Sequence, residues 1–487
     1  MGTTILPDAR LGEVRLPRKL ALGLSSHVVG ATGTGKTTAM TAWAAQDVAT
    51  PGVVSVNLDY KGDFAKNLTE IVIPWVALKL PLDEGTELLE SLRVWAPWSG
   101  RKIPSLHLTS PGGSVSRRAV ALTDLFVATV GAGELGHRQL SVFVPAVKLM
   151  MKTGVPFALL PEIFTLPGFR GALLIAAEDP ELTSYFENRF MADAREGVVF
   201  SILSRFDRFL SDDTTKRALF GPTPFDATVW LEHGTTVCDF GGGLRSHRVF
   251  WASFVQHAIL EAVLSRPTRR TSPRVAIRID EVQMGIPTKD QAEELDDALC
   301  LMRSRRAALA IAHQHAGQLA EYPSLLSSLR ANAGILAAFR IPKESAEATS
   351  CVVPEGLPPG IDGKGLTESQ VRETWIRVLS SLPDRTFLLR APTLASSSIP
   401  VRAPTLDLEA LSREVPEAIR ALGRDGQDGF TSEALGLRED TWRRVVAELS
   451  TVAAPNVTAL AHFAEPEEGV RAPARRALRE RRTEAQP

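Results

Sequence analysis

The strongest chemistry in this sequence lies in Gly30-Ala31-Thr32-Gly33-Thr34-Gly35-Lys36-Thr37, which fits the phosphate-loop pattern G-x-x-x-x-G-K-[ST] throughout. The glycines let backbone N–H groups turn inward around phosphate oxygens, and a helix opening at Lys36 aims its positive end at them. Lys36 is placed to reach the β- and γ-phosphates of ATP and the Thr37 hydroxyl to ligate Mg²⁺, with Thr38 completing the nucleotide-binding set. A chance glycine-rich turn is the bland alternative. The flanks argue against it: Leu20 to Leu24 with His27-Val28-Val29 reads as a short buried strand, and Thr37 to Gln46 as the start of a good helix.

A second group lies far downstream. Asp280-Glu281 closes the apolar, β-branched run Val275-Ala-Ile-Arg-Ile. Asp280 can hold the Mg²⁺ shell there, and Glu281 can polarise water as a general base. Such an acidic pair is often an ordinary strand end, and only the phosphate loop upstream gives it weight. Gln314 ends the next apolar run, where a neutral amide can touch both the γ-phosphate and the attacking water; a plain polar strand end is the other reading. His313 and His315 flank it and are not read as metal ligands. Arg303, Arg305 and Arg306 come just before that run. An arginine finger supplied in trans contributes about 10³–10⁵ in rate to phosphoryl transfer. The sequence does not choose among the three, and a solvated helix end, where cations suit the helix dipole, stays open.

The elements that must position these residues alternate in the manner of an α/β protein. After the loop and its helix, Pro51 to Tyr60 reads as a turn and a strand, which makes a β-α-β unit and hence a parallel sheet with a right-handed crossover. That strand ends in Asp59-Tyr60-Lys61-Gly62-Asp63-Phe64, at the edge where ligands bind in open α/β sheets, although such a cluster can be only a solvated turn. Ile71 to Val76 reads as another strand and Glu84 to Leu92 as a helix. From 112 to 226 the pattern is helical, as expected for an all-α insertion. Strands return at Gly234 to Phe240, Arg274 to Asp280, Ala307 to Ala312, Gly334 to Arg340 and Arg385 to Arg390, with helices over Arg248 to Leu264, Asp290 to Arg306 and Leu319 to Arg330. A Pro/Ser-rich linker is expected at 391–405. The units are then 1–111 and 227–400 for the sheet domain, 112–226 for the insertion, 405–470 for a C-terminal domain and 471–487 for an Arg-rich, disordered tail. Leu406 to Leu422, Thr431 to Gly436 and Arg438 to Leu449 have the rhythm of a helix-turn-helix, with Val457 to Phe463 as a wing. A plain helical cap is the alternative.

At 487 residues, with 44% hydrophobic and 23% charged residues, the chain has ample core for a globular protein. Its net charge of −1 offers no global basic field for nucleic acid, so any such surface is local. Cys238, Cys300 and Cys351 are far apart and show neither metal spacing nor a disulfide framework, which points to a reducing, cytoplasmic setting. No signal-peptide pattern stands at the N-terminus. No run of about 18 uncharged apolar residues occurs, so no membrane segment is expected.

Taken in order, Ser26 to Thr37, Asp59 to Phe64, Arg274 to Glu281, Arg303 to Gln314 and Asn332 to Ile341 resemble the FtsK/HerA superfamily of hexameric ATPases, including soluble HerA-like helicases and the coupling proteins of type IV secretion. The resemblance covers about two thirds of the chain. It implies a RecA-like P-loop NTPase core, assembled as a homo-oligomeric ring, expected as a hexamer, with duplex or single-stranded DNA in the channel. The insertion looks like the all-α domain of coupling proteins. It departs from the family in lacking the N-terminal transmembrane helices of membrane-bound members and the β-barrel of HerA, so a soluble, pared-down member is expected. The leading expectation is an ATP-driven DNA translocase. The alternatives are a ring ATPase for protein export or remodelling, and a nucleotide-dependent assembly platform for a nuclease, a secretion or transfer protein, or another effector.

Overall fold

The structure, a computed structural model, describes residues 2–4, 12–14, 22–98, 102–104, 107–109, 114–130, 137–194, 197–221, 227–269, 271–343, 345, 367–392, 399–403, 406–425 and 431–451. Cys351, the expected wing at 457–463 and the tail 471–487 lie outside the described residues.

The backbone of the molecule is one sheet. Its strands are β1 (Gly2–Thr4), β2 (Gly12–Val14), β3 (Ser26–Val29), β4 (Val53–Asp59), β5 (Leu92–Trp95), β6 (Thr235–Asp239), β7 (Arg274–Asp280), β8 (Ala307–His313), β9 (Ile335–Phe339), β10 (Thr386–Arg390) and β11 (Ile399–Arg402). They run in the order β2-β1-β11-β10-β9-β3-β8-β7-β4-β6-β5. From β9 to β5 every pairing is parallel; β10, β11, β1 and β2 extend the β9 side antiparallel. The strand leading into the phosphate loop is therefore flanked by β8 and β9, with β7 and β4 next beyond β8. The carboxyl ends of β3, β8, β7 and β4 share one edge, the edge where such sheets bind ligands.

Both faces are covered, as the two-sided burial of β4, β7 and β8 requires. One core joins Val28, Ala39, Met40, Phe64, Ile73, Val237 and Phe387 beneath the helix Lys36–Val48. On the other face Val54, Val56, Ile277 and Leu309 meet the helices Arg245–Ser265 and Lys289–Leu301 through Trp251 and Leu295. That second core runs without a break into Phe126, Phe143, Phe157 and Phe206 of the segment expected as an insertion. Between 114 and 221 the described residues form helices and turns only, and the helix Val115–Val130 lies on Arg245–Ser265. The helical segment thus shares a core with the sheet.

Several local expectations change. Ile71 to Val76 is not a strand: Leu68–Val72 is a π-turn running into the helix Ile73–Lys79. Leu68, Val72, Ile73, Val76 and Ala77 are buried at helical spacing, so the 3.6-residue period outweighs β-branching. The stretch 391–405 is not only linker, since Ile399–Arg402 pairs with β10 and β1. At the C-terminus, Leu406 to Leu422 splits at Pro416 into Leu408–Glu414 and Glu417–Asp425. The two further expected helices are one, Ser432–Thr451, continuous through Gly436. These helices enter different cores: Val415 and Ile419 join the one under Lys36–Val48, whereas Leu435, Trp442, Val445, Val446 and Leu449 join that of the helical segment. Gly423 lets its helix lie directly on the Thr69 carbonyl of the π-turn. Among the described residues the C-terminal helices thus pack on the rest of the molecule, not around a core of their own. Among the described residues no single helix is long and apolar enough to cross a membrane.

Candidate nucleotide site

The chain from β3 into Lys36–Val48 forms the phosphate loop. Gly33 and Gly35 have φ of 80° and 103°, values that cost an L side chain dearly. The loop is anchored on both sides: Gly30 N donates to His313 O on β8 (3.3 Å), and Ala31 N to Arg340 O just past β9 (2.8 Å). Thr34 Oγ1 closes the turn on Ala31 O at 2.7 Å. Thr32 and Gly33 are exposed at the tip, and Thr37 and Thr38 are half-buried on the first helical turn. Lys36, 5% exposed, bends back to donate to the Gly30 and Ala31 carbonyls. Burial lowers its ammonium pKa, while Glu281 and Asp280 pull the other way.

Asp280 ends β7 facing this loop. Its Oδ2 accepts from Thr37 Oγ1 at 3.2 Å, whereas its Oδ1 is buried without a hydrogen-bond partner. Burial, then the charges of Asp59 and Glu281, push its pKa up to about 7. A hydroxyl and a carboxylate with one unclaimed buried oxygen suit a divalent cation, which would take the place of that proton. Glu281 follows in the left-handed region (φ 59°, ψ 49°), a conformation that costs a non-glycine residue on the order of 1–3 kcal/mol and collects at functional sites. Gln314 Nε2 donates to both of its oxygens (3.0 and 3.2 Å), and Gln283 Nε2 to Oε2 at 2.6 Å. Gln314 is itself held by its N–H on Gln318 Oε1 (2.8 Å). Lys36, Thr37, Asp280, Glu281 and Gln314, distant in sequence, thus meet at one edge of the sheet.

Arg303, Arg305 and Arg306 do not join them. They occupy the turn before β8, at the opposite edge. Gln314 follows β8, whose seven residues span roughly 23 Å. Arg305 instead donates to Arg266 O at 3.4 Å. Asp59 is no solvated turn: fully buried, it accepts from Lys61 N (2.8 Å) and Ala65 N (2.9 Å) and so shapes the end of β4. Two residues that the motif reading passed over also bear on the site. Arg278 on β7 is buried and paired with Asp47 on the helix Lys36–Val48, and Arg385 lies against Gly35. An arginine in the middle of an apolar strand run was a legible sign of the first; the second left none.

Directly beneath the loop, His27 on β3 and His313 on β8 are buried with their Nε2 atoms 2.7 Å apart. Burial holds both imidazoles below the ordinary range, His27 well below and His313 down to about 4, with the mutual His313–His27 charge adding at His27 and Lys36 adding at His313. The unfolded chain protonates each near 6.5, the folded one not until much lower. Their stabilising contribution is therefore complete above 6.5 and is lost as pH falls from there toward 4, at no more than about 1.4 kcal/mol per pH unit for each ring. Thermal melts from about pH 7 to about pH 4.5 should fall more steeply for the natural protein than for the His27→Gln, His313→Gln double variant; parallel curves would contradict the assignment.

No protein-family model and no curated protein matches this sequence. Solved structures match in fold. VirB4 of Thermoanaerobacter pseudethanolicus aligns at 14% identity over 80% of this chain and 91% of its own, with a TM-score of 0.51. The bacterial conjugative coupling protein TrwBdeltaN70, in a trigonal form in complex with sulphate, aligns at 18% identity over 80% and 87%, with a TM-score of 0.50. The chain shares the mixed α/β P-loop fold of VirB4 and of a conjugative coupling protein.

Proposed function

We propose that this protein is an ATP-hydrolysing ring motor that moves DNA through a central channel, acting in the cytoplasm. The observation that carries the reading is the split between the two edges of the sheet. Lys36, Thr37, Asp280, Glu281 and Gln314 converge at one edge, while Arg303, Arg305 and Arg306 stand roughly 23 Å away at the other, the length of β8. Arginines so placed reach a nucleotide only in a neighbouring copy, and a closed ring, a hexamer in this reading, gives every copy such a neighbour.

In this scheme the amides of 30–38 and Lys36 hold the phosphates of ATP. Thr37 and Asp280 would hold Mg²⁺, which would supply neutralisation of phosphate charge. Glu281 accepts a proton from the attacking water, and Gln314, bonded to both Glu281 oxygens, gives up those bonds when water and γ-phosphate arrive. An arginine from 303–306 of the next copy meets the developing charge. The resemblance to DNA motors and the shared fold support DNA as the polymer. Its grip would be electrostatic and would weaken with salt. ATP turnover measured with and without duplex and single-stranded DNA at low salt tests this. A several-fold rise that fades with added salt is expected. An unchanged rate with both polymers would leave a nucleotide-driven machine for some other cargo.

A further inference from the structure

The turn entering β10 is fastened directly to the phosphate loop. Arg385 N donates to Thr34 O at 2.9 Å, and Arg385 O accepts from Ala403 N at 2.7 Å on its other side. The preceding residue, Asp384, pairs with Arg340 at 2.6 Å, and Arg340 O is the acceptor for Ala31 N. The turn therefore grips the loop at two points. Held this way, Arg385 has φ 59°, a left-handed conformation that a long L side chain takes only when its surroundings impose it. Its Cα and Cγ each lie 3.2 Å from where a Cβ on Gly35 would stand, so the side chain starts against the residue that precedes Lys36. The residue is exposed, and among the described residues its side chain makes no hydrogen bond or ion pair. A strained arginine with a free guanidinium, fixed beside a loop built for phosphate, has a clear chemical use: two parallel N–H donors to a phosphate oxygen pair.

We propose that Arg385 binds the phosphate chain of the nucleotide held by its own subunit. This rests on the reading of 30–37 as the nucleotide loop and adds to it a cation in cis, distinct from the arginines of 303–306 at the far edge. The experiment compares the natural protein with Arg385→Gly and Arg385→Lys, using Mg-ATP and Mg-tripolyphosphate as separate probes in titration calorimetry. Glycine accepts the left-handed backbone freely, so Arg385→Gly should melt no lower than the natural protein without nucleotide. It should bind both probes about tenfold more weakly, the worth of one charge-assisted bond, with lysine restoring part of the loss. Unchanged affinity for both probes would overturn the proposal. A loss confined to Mg-ATP would also overturn it, by placing the contact on base or ribose. Failure of the natural protein to bind Mg-ATP at all would instead remove the nucleotide-loop reading, and this proposal with it.

Discussion

Replacing Glu281 with glutamine is expected to lower kcat for ATP hydrolysis by about 10²–10⁴ while leaving Mg-ATP affinity near that of the natural protein. The amide keeps the size of the carboxylate and can still meet Gln314 and Gln283, which donate to Glu281 now. It cannot take a proton from water. The loss should therefore fall on kcat and spare KM, the pattern of an interaction made in the transition state. The variant should accumulate with ATP bound, which filter binding of labelled nucleotide under single-turnover conditions would read. A Glu281→Gln protein with ordinary turnover would take the general-base role away from this residue.

Lys36→Ala should act earlier and on both constants. The ammonium is the one side-chain cation inside the loop, 5% exposed and hydrogen-bonded to two loop carbonyls. Its removal deprives the bound phosphates of a charge-assisted donor, at a cost of roughly 10²–10³ in kcat, and weakens ATP binding as well. Melting of the nucleotide-free protein is the control, because the Gly30 and Ala31 carbonyls lose their partner too. Persistent hydrolysis at the natural rate would remove the whole scheme.

What could be read in the sequence was whatever rests on local spacing. The loop at 30–37 needs glycines at fixed offsets, and the acids at 280–281 need only an apolar run before them. Their meeting at one edge follows from parallel pairing, which Asp59↔Asp280 and Val29↔His313 in register make concrete. Legibility failed where tertiary packing decides. Ile71 to Val76 is strand-like by composition, yet its burial follows a helix. The C-terminal helices have their own amphipathic faces, and nothing local says that Ile419 and Trp442 fill two different cores. Nor could an arginine cluster disclose which edge of the sheet it would occupy; that depends on its preceding β8 and Gln314 following it.

The buried pair between Asp47 and Arg278 has a consequence for how the nucleotide site can move. Arg278 also reaches Ser55 Oγ and Asn57 Oδ1 on β4, each at 3.5 Å, so helix, β7 and β4 are cross-braced inside the protein. Removing one partner of a buried pair of this kind costs about 3–5 kcal/mol, so the brace favours keeping helix and strand together. Lys36 and Thr37 at the front of that helix and Asp280 at the end of that strand therefore travel as a single block, with their spacing preserved. The parts left free to answer the loss of a phosphate are Glu281 and Gln314, joined to each other by exchangeable side-chain bonds on the seam between β7 and β8. In the proposed scheme, a response to nucleotide would begin at that seam, against the cross-braced block.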